Sequence, residues 1–333
     1  MHVCWLALIP IGLIAFALAS PSDFHLNFAI RILIAAIFAL SLNLMVGYGG
    51  LMSIGHSSFF GIAAYAVAWL SVKQGWGAPA AVATALLLCT AVAGVFALLA
   101  LRAKGIGFLM ITLALGQIVW GVAVRWTDLT GGDNGIRGIK RPQIAGMALD
   151  NATAFYALTV VVFIVVCLAM WRITRSPFGA SLRGTRDQPR RMSALGFNVW
   201  LIQWMAFCLA GFFAGVAGIL DLYHHKFVSP EVLSLSASAQ ALLMVIVGGS
   251  SVLLGPVVGA VVVLLFSQIV SAYMDRWTAA LGVMFLLIVL FMPEGLVPGL
   301  KKWRGKLRWP KSRRLAALAA PAEAPAINGQ VAP

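Results

Sequence analysis

Between Arg31 and Lys73 the chain runs for 41 residues without a lysine, arginine, aspartate or glutamate. A helix needs about 20 mostly apolar residues to cross bilayer hydrocarbon, so this one run has room for two crossings. The pattern continues along most of the sequence, with candidate spans at 3–19, 28–46, 51–72, 78–101, 105–124, 154–171, 200–222, 236–249, 252–270 and 277–293. Composition agrees: 61% of residues are hydrophobic, 10% are charged, and the mean hydropathy is +0.95. A soluble domain carries about a quarter charged residues. The expected fold is an all-α polytopic membrane protein of about ten transmembrane helices.

The formal charge of +14 does not point to nucleic acid, because the basic residues are placed as topology signals. Six arginines lie between Arg172 and Arg191 with one acid, Asp187, and eight lysines and arginines lie between Lys301 and Arg314 with none. Lys and Arg resist translocation, so short basic clusters beside spans mark the cytoplasmic face. Anionic membrane lipid is their secondary partner. Four spans separate the clusters, an even number, as a shared side requires. The basic Arg102-Ala103-Lys104 turn fits the same parity. Loop 125–153 is then external, and both termini are cytoplasmic. The N-terminal stretch lacks a basic leader segment and reads as a first span rather than a removed signal peptide. The membrane domain covers 1–300. Residues 301–333 are a basic and then Ala/Pro-rich tail with too few large apolar residues to fold alone.

Several functions lack their usual parts. Arg31, Lys73, Asp221, Lys226, Glu231, Asp275 and Arg276 all fall at or near span ends, so no buried carboxylate ladder relays protons. No phosphate-cradling G-x-x-x-x-G-K-[ST] loop occurs, and no catalytic constellation or metal-ligand spacing stands out. Cys4, Cys89, Cys167 and Cys208 sit in apolar stretches and read as small buried hydrophobes. The chain holds no cofactor of its own; work against a gradient must come from outside it.

What remains is backbone polarity. Tyr48–Gly61 reads YGGLMSIGHSSFFG, and Gly248–Gly259 reads GGSSVLLGPVVG. Each glycine weakens a helix by roughly 1 kcal/mol, and irregular backbone at membrane depth is tolerated where it is buried in protein or lines a cavity. Gly49 to Gly55 and Gly249 to Gly255 are both six residues apart. Paired interruptions in two pseudo-repeated halves point to a translocation pathway. Its expected residues are Asn43, Gly49, Gly50, Ser53, Gly55, His56, Ser57, Gly248, Gly249 and Gly255, with Thr112 and Gln117 as polar positions on a facing span. Tight helix packing is the competing reading for the glycines, and interhelical hydrogen bonding for the polar side chains. The run Ala210, Gly211, Ala214, Gly215, Gly218 is a small-residue packing face.

Loop 172–199 is the longest cytoplasmic segment. Ser176 followed by Pro177 is a helix start, with Phe178 and Leu182 on one face. After Pro189 a second short helix carries Met192 and Leu195 and stops at Gly196, a C-terminal cap glycine. Two short amphipathic helices outside the membrane suggest a docking element.

These segments resemble the LivM/LivH-type permeases of branched-chain amino acid ABC importers. Leu42–Tyr65 is similar to that family's N-L-x-x-G-Y-x-G-x-x-S-x-G-H-x-x-F-x-G segment, with Ala63 where glycine is usual. Leu129–Pro142 is similar to its external T-G-G-x-x-G stretch, and Ser176–Val199 to its cytoplasmic S-P-F-G loop, with Pro189 near a usual glutamate. Leu254–Ala260 also fits, although Ser251-Val252 replaces a usual Gly-Thr. The resemblance implies a bacterial inner-membrane, multi-pass permease working with a second LivH-type permease, two ATPase subunits that hydrolyse the ATP, and a periplasmic amino-acid-binding protein. Ser193, Ala194, Leu195 and Gly196 would dock the ATPase; Gly131, Gly132, Asp133 and Asn134 would meet the binding protein. Related permeases for urea, short amides or aromatic acids share these motifs. An Na⁺-coupled carrier using carbonyls at the breaks, or a non-transporting scaffold, are the readings from other classes.

Overall fold

The computed structural model describes residues 23–144, 147–148, 151–273, 277–292 and 295–299. The expected span at 3–19 and the tail 301–333, and with them both chain ends, lie outside the described residues. Nine helices occupy the other nine expected spans: α1 Asp23–Asn43, continued by a π-helical turn Leu44–Tyr48; α2 Ser57–Val72; α3 Ala78–Ala100; α4 Ile106–Arg125; then, after the one-turn α5 Thr127–Thr130, α6 Ala152–Arg175; and, beyond two short helices, α9 Val199–His225, α10 Leu235–Gly248, α11 Gly255–Ser271 and α12 Trp277–Phe291. The short helices are α7 Pro177–Asp187 and α8 Pro189–Ala194. Among the described residues, five helices are long and apolar enough to cross a membrane: α1 with its π turn, α3, α4, α6 and α9.

α9 organises the bundle. Its small-residue face lets neighbouring backbones approach closely, and it packs on α1, α2 and α3. A side chain at Gly218 would collide with the Phe60 carbonyl, and one at Gly211 with the Cβ of Ala93. Cys89 behaves as a small core residue, its thiol directed at the Phe59 and Gly211 carbonyls at 3.2 and 3.4 Å. The Phe59 ring meets Phe96 and Phe207 edge-on, at centroid distances of 5.3 and 5.6 Å, the arrangement aromatic quadrupoles favour. α1, placed between α9, α6 and the α10–α11 pair, is buried over 78% of its apolar window against 22% for α4.

At one end of the bundle lie α7 and α8 and the arginines of 172–191. Ser176 caps α7 as its sequence suggests, accepting from the Gly179 N–H at 3.4 Å, and Gly196 ends α8 with φ +86°. The opposite end carries the 125–151 region. There two short ladders stand beside the helices: β1 Ile136–Arg137 pairs antiparallel with β4 Phe227–Val228, and β2 Gln143–Ile144 pairs with β3 Met147–Ala148. The first ladder ties this region to the exit of α9. Arg141 does the same, donating from Nε to the Tyr223 carbonyl at 3.0 Å with its guanidinium 4.4 Å from the Phe155 ring centre.

Candidate translocation site

The expected span 51–72 starts six residues late, and the reason defines the site. In the π turn the Gly49 N–H bonds to the Leu44 carbonyl at 3.1 Å, and the Leu51 N–H reaches back to Met45 at 2.9 Å. A regular helix would have aimed the Leu51 N–H at Gly47. The chain then turns at Gly50, φ +68°, and Leu51–His56 runs back along α1 without regular structure. His56 ends this return beside Ser41, Nε2 to Oγ 2.9 Å. Ser41 lies seven residues before Tyr48, so the return climbs about 10 Å at 1.5 Å per residue. α2 therefore begins inside the bundle.

Ser41 gives its own hydroxyl proton to the Phe38 carbonyl at 2.7 Å, so His56 donates from Nε2 and its Nδ1 is a bare acceptor. That Nδ1 is buried and unpartnered. Phe38 stacks on the imidazole at 5.5 Å and Phe59 meets it edge-on at 5.6 Å, which fixes the ring. Asn43 leaves both amide atoms buried without partners, as do the hydroxyls of Ser53 and Ser58. Buried polar groups are normally satisfied. These unpartnered atoms gather around the break, at the end of α1, along the return and at the start of α2.

α10 begins inside the bundle too, after the 3-10 turn Pro230–Leu233. Its 14 residues span about 21 Å, short of the ~30 Å hydrocarbon core. The starts of α2 and α10 face each other. The Ser57 N–H donates to Ser238 Oγ at 2.9 Å, the Ser57 hydroxyl to the carbonyls of Leu233 and Ser234, both at 3.1 Å, and Ser238 Oγ lies 2.7 Å from Ser57 Oγ. Ser41, Ser234 and Ser238 did not stand out in the sequence. Their partners lie 15 to 181 positions away, and serine spacing carries no trace of that.

The remaining expected residues divide. Gly55 fits against α4, where a Cβ would strike the Thr112 carbonyl, and Thr112 Oγ1 accepts from the Ile54 N–H at 3.4 Å. Gln117 is not with them. Five positions on a helix advance the direction by 500°, leaving Gln117 about 140° from Thr112. It faces an open groove of about 350 Å³ with Leu113, Trp120, Ser234, Leu235 and Ser236. Gly248 and Gly255 pack α10 against α11, each filling the space a Cβ would need at the other's backbone or at Gly249. The two breaks meet where a side chain at Gly47 would collide with the Ser250 carbonyl.

The short helices sit directly on the first break. Leu182 is fully buried and comes 3.5 Å from where a Cβ at Gly49 would stand. Arg183 donates to the Thr174 carbonyl at 2.7 Å and places its guanidinium 5.8 Å from the Tyr48 ring centre. Arg186 donates to the Gly47 carbonyl, the acceptor left free by the π turn. On the outer side Ser193, Ala194, Leu195 and Gly196 are all exposed, with Leu195 67% and Phe197 45% exposed. At the other end Gly131 (φ +79°) and Gly132 shape a tight turn that leaves Asp133 and Asn134 outward.

A family described as "Branched-chain amino acid transport system / permease component" matches residues 24–292. The high-affinity branched-chain amino acid transport system permease protein LivM of Salmonella typhimurium is 28% identical, covering 86% of this chain and 74% of that one. Its Escherichia coli counterpart is 27% identical with the same coverage. The autoinducer 2 import system permease protein LsrC of Escherichia coli is 28% identical over 57% of this chain and 55% of its own. No solved structure matches.

Proposed function

The chain belongs to the branched-chain amino acid transport system permease family, and on that premise we propose that it is the membrane subunit of an ATP-driven importer for branched-chain or related amino acids. Its partners are a second permease, two ATPase subunits on the side of α7 and α8, and a binding protein on the side of Gly131–Asn134. With those partners it would work in a bacterial inner membrane, with α7 and α8 on the cytoplasmic side. The observation that carries the reading is the α7–α8 pair. Its inner face meets the first break through Leu182 at Gly49, the Arg183 guanidinium over Tyr48 and Arg186 on the Gly47 carbonyl, while its outer face exposes Leu195 and Phe197. Exposed apolar side chains beside a basic, water-facing surface are what a protein partner covers.

The solute follows Asn43, Ser53 and His56, whose buried polar atoms have no partner, and the facing start of α10. The relatives import amino acids in one case and autoinducer 2 in another, so the binding protein sets which solute arrives. Two measurements test the reading. Vesicles holding the assembled importer should concentrate leucine only with ATP and the binding protein; uptake by the chain alone under a sodium or proton gradient would refute it. Leu195→Arg should abolish ATPase association with membrane insertion intact, because Leu195 touches little of its own chain. Normal co-purification of the ATPase with that variant would remove the docking assignment.

A further inference from the structure

Three elements that lie far apart in sequence converge on Gly47. Its carbonyl takes the Arg186 guanidinium from α7. Its Cα side is wedged between the Ser250 carbonyl of the second break and the Asn43 side chain, both closer than a Cβ would permit. Gly50, three residues on, has φ +68°, and the Arg186 Cγ occupies the position 2.5 Å from where its Cβ would be. The aliphatic stem of Arg186 thus lies on one turn of the break while its head holds another. Arg186 also pairs with Asp187 at 2.8 Å, which orients the guanidinium. That ion pair, 37% and 60% exposed, adds little energy by itself.

The Gly47 carbonyl is available because the π turn redirects the Leu51 N–H to Met45. A charged donor on a carbonyl is among the stronger hydrogen bonds. Leu182 supplies an apolar anchor beside it, near Gly49. α7 is thus tied to the π turn through the Arg186–Gly47 hydrogen bond, and Gly47 lies directly against the Ser250 carbonyl, so that movement of Gly47 toward the second break would press on Ser250.

Resting on the proposed ATP-driven function, we infer that Arg186 is the positioning residue that makes α7, the first break and the second break move as one body. It transmits displacement of α7 to the loop at Ser250 through the Gly47 carbonyl. Sequence spacing hides this link, because Arg186 reads as one more topological arginine.

The test uses the assembled importer in vesicles with binding protein and radiolabelled leucine, comparing wild type, Arg186→Ala and Arg186→Lys. Ser251 lies beside Ser250 and is exposed, so a second set of the same variants carries Ser251→Cys for maleimide labelling with and without ATP. Arg186→Ala should keep ATP hydrolysis within about twofold of wild type and move at least fivefold less leucine per ATP. ATP should alter the Ser251→Cys labelling rate in the wild-type background and leave it unchanged with Arg186→Ala. Lysine keeps a charged donor but loses the fork, so Arg186→Lys should recover part of both signals. Wild-type leucine per ATP together with ATP-dependent labelling in Arg186→Ala would overturn the inference. If wild type itself takes up no leucine, the solute assignment falls while the labelling comparison still decides the role of Arg186.

Discussion

The two breaks share a six-residue glycine spacing and almost nothing else. At the second, α10 and α11 pack closely on each other, and Gly248, Gly255 and Gly259 bring backbone against backbone. Its glycines serve close approach, as small residues do between membrane helices. At the first, α1 and α2 share no such interface. Leu51–His56 fills the gap instead, leaving Asn43, Ser53 and the His56 Nδ1 buried and unpaired. One break is closely packed; the other keeps unpaired polar atoms next to α7 and α8. Equal spacing in sequence does not mean equal roles: Gly49 and Gly55 also lie against backbone, at the Met45 and Thr112 carbonyls, yet only around the first break do Asn43, Ser53 and His56 keep buried polar atoms without partners.

The largest expected effect attacks the closely packed break. Gly259→Leu would drive a side chain into the Met244 carbonyl and the Gly248 amide, and neither is a flexible end that can step aside. Overpacking of this kind costs about 1–3 kcal/mol and sometimes more, and here it separates two helices. Folded chain recovered from membranes by size-exclusion chromatography should fall to near nothing. Recovery at wild-type yield would mean the α10–α11 contact is not what closes the second break.

A smaller effect of opposite sign should appear at the first break. Asn43 buries an amide with no partner, at a cost of roughly 1–3 kcal/mol. Leucine has the same branched side-chain skeleton as asparagine, with bulkier methyl groups in place of the amide, and needs no partner. Asn43→Leu should therefore raise the unfolding temperature in detergent while lowering leucine uptake by the assembled importer. A lower unfolding temperature would show the amide to be structural and would erase the contrast between the breaks.

Much of this architecture was legible in the sequence. The apolar runs place nine helices nearly where they stand, because bilayer thickness and helical rise leave little freedom. Ser176, Pro177 and Gly196 mark the ends of α7 and α8, because caps are local chemistry. The depth at which α2 begins was not legible: it follows from the π turn and from His56 finding Ser41, and both are decided by packing. The β1–β4 ladder is two residues long on each strand, too short to leave an alternating pattern. Thr112 and Gln117 were expected on one broad face, and 140° of rotation separates them. The Gly47–Ser250 contact joins positions about two hundred residues apart, and no single-sequence signal reports it.

The smallest expected effect asks whether the two breaks are energetically linked at their other end, where α2 and α10 begin. Ser57→Ala removes the donations to the Leu233 and Ser234 carbonyls and the hydroxyl contact with Ser238; Ser238→Ala removes that contact and the acceptor of the Ser57 N–H. Only the hydroxyl pair is common to both, so a double-mutant cycle isolates it. Hydrogen bonds between membrane helices average about 0.6 kcal/mol by such cycles, with a maximum near ~1.7. The coupling measured by unfolding in detergent should fall in that range. Independent sites would add to within about 0.3–0.5 kcal/mol, so additivity would mean the starts of α2 and α10 merely touch. A coupling above that threshold would tie the end of the polar break to the helix that leads into the closely packed one, leaving Gly47–Ser250 and Ser57–Ser238 as two points of attachment at the two ends of α10.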